Sequence, residues 1–235
     1  MLSRRDFALA FLFGAPLPSL LRAQEYSWQD VLREASIDTA DPVFLGAEPL
    51  PADDPRWQVA RDLLDSAPTA ALPFEIARYF DRAVPEEFQR RWPSAYANPL
   101  ITWFFLETRT KPTGDLTPWC AAFVSWCLER AGVVSARSAA SKDYRDWSTP
   151  VWQRGEPFPG RAQIGDITVF KQLSNPNQGH VAFYIGPDPY AEGRVMVLGG
   201  NQTSSGAVRE SNLVSEVSMR IDANLELHSI RAVGR

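Results

Sequence analysis

The chain has 235 residues, of which 45% are hydrophobic by type, including eight tryptophans, and a formal net charge of -4 with acids and bases interspersed. That is enough apolar material for one large domain, or for a smaller one with an accessory piece. It builds no basic surface for nucleic acid or anionic lipid. Two cysteines and two histidines without short paired spacing do not make a zinc site, so neither a metal nor any other cofactor is expected.

The N-terminus reads Ser3-Arg4-Arg5-Asp6-Phe7, then an apolar stretch from Ala8 to Leu21, then Arg22-Ala23-Gln24. A short positive region, a modest apolar core and a small residue form the layout of an export signal, and paired arginines before a phenylalanine are of the twin-arginine type. Gly14, Pro16 and Pro18 leave the apolar stretch too short and broken to span a bilayer. Residues 1–23 are therefore read as a signal, with cleavage after Ala23. The mature protein is expected to be periplasmic or secreted, without stable membrane insertion.

Residues 24–109 read as a proline-punctuated helical accessory region. Asp54-Pro55 offers a cap with proline at the first helical position, followed by Trp57, Ala60, Leu63 and Leu64 at helical spacing, and Pro68 and Pro73 end that segment. A helix carrying Ile76, Tyr79 and Phe80 is predicted over 74–83. Asn98-Pro99 starts another with Leu100, Trp103 and Phe104.

Residues 110–235 carry the chemistry. After a turn-rich linker, Thr117 is predicted to cap a helix with Pro118 at its first position, running to Ala131 and stopping at Gly132. Phe123, Val124, Cys127, Leu128 and Ala131 make it apolar over most of its circumference, as befits a helix central to a core. A second helix is predicted over 138–147 and a loop over 148–161. Strands follow: Ile167 to Phe170, one opened by Gly179-His180, Arg194 to Leu198 closing on Gly199-Gly200-Asn201-Gln202, and Leu225 to Val233. Helices followed by consecutive short strands indicate an α+β fold with an antiparallel sheet.

Cys120 falls in the first helical turn, at about the third position, where free backbone N–H groups and a neighbouring imidazolium can lower a thiol pKa from ~8.5. The same N–H groups can stabilise an oxyanion. His180, at the start of a separate strand, is the candidate base. Asn201 is the candidate for holding the ring, with Gln202 as a substitute and Asp166 as a rival better explained as a turn residue. Cys127, two turns deeper, and His228 are read as structural. On one helix the two cysteines are separated by about 10.5 Å of rise, too far for a disulfide.

The segments Trp119-Cys120-Ala121-Ala122-Phe123-Val124-Ser125-Trp126-Cys127-Leu128, Gly165-Asp166-Ile167-Thr168-Val169-Phe170, Gly179-His180-Val181-Ala182-Phe183-Tyr184 and Leu198-Gly199-Gly200-Asn201-Gln202 resemble the CHAP and NlpC-type peptidoglycan hydrolases. The resemblance implies a papain-like core, with an N-terminal nucleophile helix packed on a small antiparallel sheet. It implies a Cys120 nucleophile, a His180 base and an orienting Asn201, acting on amide bonds of peptidoglycan peptides. Trp119, Gln178 and Gln202 are the residues expected to touch substrate. Many members carry a glutamate shortly before the asparagine, where Gly199 and Gly200 stand here. A peptide-binding module that does not cut, and a transferase with an amine in place of water, are the alternative uses of the same cleft.

Overall fold

The computed structural model describes residues 48, 50, 51, 53–93, 95–109, 114–203 and 211–234. The segment read as a signal, 1–23, lies outside them. Among the described residues, four α-helices precede the half that holds Cys120 and His180: α1 (Arg56–Ser66), α2 (Pro73–Arg82), α3 (Glu86–Gln89) and α4 (Pro99–Phe104). α1 buries Trp57, Ala60 and Leu64. Asp54 caps it, although Pro55 holds the cap position: its carboxylate accepts from the Arg56 N–H at 2.9 Å and pairs with the same residue's guanidinium at 2.7 Å. Pro73, expected to end the preceding segment, instead opens α2, because the first helical position needs no N–H.

α4 is capped as predicted, with the Asn98 side-chain oxygen accepting from the Leu100 N–H at 2.9 Å. The Asn98 amide nitrogen donates to the carbonyls of Phe88 and Arg90. Asp115, buried, accepts from the N–H groups of Trp92 and Asn98. One carboxylate thus ties the α3–α4 connection to the entrance of the C-terminal half, and burial pushes its pKa up.

α5 spans Cys120–Arg130, and every residue from Cys120 to Leu128 is buried. It begins later than expected: Trp119 is the cap residue with no side-chain cap, Pro118 lies outside the helix, and the Thr117 hydroxyl is buried without a partner. Cys120 is therefore its first residue rather than about its third. Its end is as predicted, with Gly132 at φ 76° and the Val133 N–H returning to the Leu128 carbonyl. Phe80 of α2 meets Phe104, Phe123 and Trp126 edge-on at ring separations of 5.2, 5.8 and 5.2 Å. The front helices and α5 therefore share one core.

The sheet has six strands: β1 (Pro150–Gln153), β2 (Ile167–Gln172), β3 (Gly179–Pro187), β4 (Arg194–Thr203), β5 (Ser211–Arg220) and β6 (Leu225–Arg231). Their order is β1-β6-β2-β3-β4-β5, and every pairing is antiparallel. The α+β class and the helix-on-sheet arrangement are as expected. Two expectations fail: the helix over 138–147 is only a 3-10 turn at Ser141–Tyr144, and the loop over 148–161 contains β1. β5 was not foreseen. One face of the sheet, with Ile167, Val169, Val181, Phe183 and Leu198, packs on α5 and the front helices. The other, with Phe170, Ala182, Tyr184, Val195, Val197, Leu227 and Ile230, forms a second core. β5 and β6 touch although three strands separate them, so the sheet curls around that second core.

Candidate active site

β3 and β4 pair only from Phe183 to Pro187 on β3 against Leu198 to Val195 on β4. Beyond that the two strands part, β4 continuing with β5 alone and Gly179 to Ala182 continuing with β2 alone. The start of α5 lies against this split, with Trp119 at Gly200 on β4 and Cys120 at Val181 on β3.

Cys120 is 3% exposed. Burial pushes its thiol pKa up, against the pull of the backbone N–H groups of Val181, Ala121 and Cys120 itself, which favour a thiolate. The sulfur therefore meets β3 at the Val181 N–H, the peptide that follows His180. Cys127 lies on the same helix, fully buried, with burial alone raising its pKa well above the ordinary value. Both thiols are free.

His180 is buried on the curled side of the sheet, opposite Phe170 in register with β2. Its ring partner is Gln202. With the amide turned so that both ends are satisfied, Gln202 Oε1 accepts from His180 Nε2 at 3.1 Å and from the Gly199 N–H at 3.3 Å, while its nitrogen donates to the Ser215 carbonyl at 2.7 Å. A carbonyl oxygen only accepts, so Nε2 carries the proton and Nδ1 is left as the free base.

The ring contact expected of Asn201 is made by its neighbour because of a β-bulge. Gly199 pairs with Ser215 and Gln202 with Leu213, three steps on β4 against two on β5. Asn201, at φ 59°, absorbs the extra residue in the left-handed region that asparagine tolerates. The bulge puts Gln202 on the face that strict alternation assigns to Asn201.

The glycines make room for this arrangement. A Cβ on Gly199 would lie 2.6 Å from the Gln202 amide and 2.8 Å from Ala182 Cβ, and one on Gly200 would lie 2.3 Å from the Trp119 ring. A side chain at either place would displace the ring's holder or the start of α5. Gly179 is tighter: its Cβ would meet the Phe170 carbonyl oxygen at 2.1 Å, in the strand opposite. Gly179→Ala is expected to destabilise the protein by about 2 kcal/mol or more, read from denaturant unfolding, and to displace His180 with the strand.

Burial pushes the His180 pKa down from 6.5 to about 4. Between those values the unfolded chain binds a proton that the native state refuses. Stability is thus intact above pH 6.5 and falls as the pH drops toward 4, by about 3 kcal/mol in all. Asp115, raised by burial, acts in the opposite sense at the acid end. The test is unfolding free energy of wild type against His180→Gln. The difference between the two should change by this amount from pH 7 to pH 4, and parallel curves would contradict it.

Trp119 is fully buried and stacked on Phe104, a core residue rather than a substrate contact. Gln178 is exposed, just before Gly179. Asp166 sits at the far end of β2, where its carboxylate accepts from the N–H groups of Gln163 and Val233, as a turn residue does. His228 is half-buried on β6, with Nδ1 on the Ser229 hydroxyl. Sequence reasoning missed Arg145, which donates to the carbonyls of Pro176 and Gln178 and so holds the loop leading into His180. Among the described residues no cluster of three potential metal ligands occurs, and no helix is long and apolar enough to cross a membrane.

Compared with known families, residues 112–201 match the model of the CHAP domain. The match ends at Asn201, one residue short of the ring's partner. No curated protein and no solved structure gives a significant match.

Proposed function

Since the chain carries a CHAP domain over residues 112–201, we propose that it is a cysteine hydrolase of peptidoglycan, cutting amide bonds of the peptide part through Cys120, His180 and Gln202. The observation that supports this reading is a helix-opening thiol at the Val181 N–H and, on the residue before Val181, a buried imidazole whose Nε2–H meets the Gln202 amide.

In the proposed reaction the Cys120 proton passes to His180 Nδ1 as sulfur attacks the amide carbon. The N–H groups of Val181, Ala121 and Cys120 favour the thiolate that forms as the proton leaves. The imidazolium then gives its proton to the departing amine and a thioester remains. Water, losing a proton to Nδ1, attacks the thioester carbon, and the thiol is released with a new carboxylate. Because burial disfavours both charged forms, the resting pair is a neutral thiol and a neutral imidazole, and charge develops only with substrate present.

Peptidoglycan lies outside the cytoplasm, and the Arg4-Arg5 segment supports export by the twin-arginine route to reach it. Digestion of purified peptidoglycan, followed by mass spectrometry of the products and amine counting, tests the reading. Wild type should release one new amino group per cut, and Cys120→Ala none. Retention of peptidoglycan without cleavage by wild type would turn the protein into a binding module.

A further inference from the structure

On the helix-covered face of the sheet, beside the strand of His180, stands a group of cations that form no ion pair among the described residues. Lys171 lies in register between Gly179 on β3 and Glu226 on β6. Cross-strand partners point to the same face, and the Cβ direction of Gly179 runs toward the Ser141 hydroxyl of the 3-10 turn, so Lys171 rises on that side. Arg145, one residue past that turn, spends two of its nitrogens on the carbonyls of Pro176 and Gln178, at 2.7 and 3.1 Å. Its Nε is buried without a hydrogen-bond partner.

Arg231 is 5% exposed. Its guanidinium donates to the Ser229 hydroxyl at 3.2 Å and the Ser148 carbonyl at 3.3 Å, and the same hydroxyl meets His228 Nδ1 at 3.1 Å. Buried cations are ordinarily paired, yet among the described residues neither Arg145, Lys171 nor Arg231 forms an ion pair. Glu226, the acid next to Lys171 in register, is taken by Arg154 at 3.0 Å. Asp146, exposed, is the acid whose charge reaches His228 and Arg231. The His228 pKa is pushed down first by burial and then by the positive charges of Arg145, Arg231 and Lys171.

Lys171 brings this group to Gly179 on β3. Cys120 sulfur sits at the Val181 N–H, and Gly179, two residues earlier on the same face of β3, is about 7 Å away along the strand. A peptide running from the sulfur along β3 toward Gly179 arrives at Lys171 and Arg145 within about two residues. We propose that Arg145, Lys171, His228 and Arg231 form a subsite for a carboxylate of the substrate peptide, flanking the bond that Cys120 attacks. It rests on the hydrolase reading above and adds what the enzyme selects: acidic peptides over their amidated forms.

The test uses one stem peptide in two forms, with its carboxylates free and with them converted to carboxamides. Wild type should favour the acidic form by about 10-fold or more in kcat/KM, carried by KM, as charge-assisted hydrogen bonds do. Lys171→Gln and, separately, His228→Gln should bring the ratio toward one, and added sodium chloride should do the same in wild type. Equal kcat/KM for the two peptides in wild type overturns the subsite. So does a preference that survives in both variants. Calorimetric titration of both peptides into Cys120→Ala protein reads the preference without turnover. If wild type hydrolyses neither peptide but the titrations favour the acidic one, the subsite stands and the hydrolase reading falls.

Discussion

Cys120→Ala is expected to lower hydrolysis by about 10⁴-fold or more, the scale on which removing a covalent nucleophile acts, while the protein stays folded. The side chain lies on a helix and loses one atom, worth about 1 kcal/mol of packing. Cys127→Ala should cost a similar amount of stability and leave the rate alone, because that thiol sits two turns inside α5, among apolar neighbours. Alkylation of the folded protein by a neutral thiol reagent should mark Cys120 first, since three backbone N–H groups favour its thiolate and none is directed at Cys127. Because burial raises the Cys120 pKa, the alkylation rate should still be climbing at pH 9. A plateau already reached at pH 6 would mean a resting thiolate–imidazolium pair, and faster modification of Cys127 would move the nucleophile.

Gln202→Ala is expected to lower kcat by about 10²-fold with little change in KM, the cost of a base that is present but badly aimed. It also leaves the Ser215 carbonyl and the ring N–H unpaired, a loss of about 1–3 kcal/mol, so rates are to be compared well below the melting temperature. Gln202→Glu keeps an acceptor for Nε2–H and should recover part of the rate, though it gives up the donor to Ser215. Asn201→Gly should turn over nearly as wild type, because glycine tolerates φ 59° without strain. Asp166→Asn should change stability and not rate, its carboxylate being spent on the N–H groups of Gln163 and Val233. A collapsed rate for Asn201→Gly beside a near-normal one for Gln202→Ala would return the orienting role to Asn201.

The helix-then-strands order, the burial of α5 and the start of β3 at Gly179 were legible in the sequence, because each rests on a local signal: periodicity, a stop at Gly132, and a glycine before a β-branched run. What failed were features that only tertiary pairing decides. Ser138 to Trp147 has helix-compatible residues, yet the chain spends them on a single turn under Arg145 and the Tyr144–Ser125 hydroxyl contact at 2.7 Å. β1 is short, opens with proline and pairs only with β6, so nothing within it announces a strand. In β5, Leu213 and Val214 are both buried as neighbours, since the strand is covered on both faces there, and alternation is lost. At the site, Asn201 and Gln202 are adjacent amides of the same chemistry. Choosing between them requires the bulge, and the bulge is visible only in the register of β4 on β5.

The position of β6 has a consequence for what can be cut out of this protein. The last strand in sequence is inserted between β1 and β2, so a fragment ending at Asn201 lacks both the neighbour of β2 and the neighbour of β4. A fragment starting near residue 112 also loses Phe80 and Phe104, and α5 presents bare aromatic surface to water. The segment that matches the CHAP model thus leaves out partners that its own strands and helix need to fold. A fragment from α1 through β6 keeps these partners and is the one expected to fold alone.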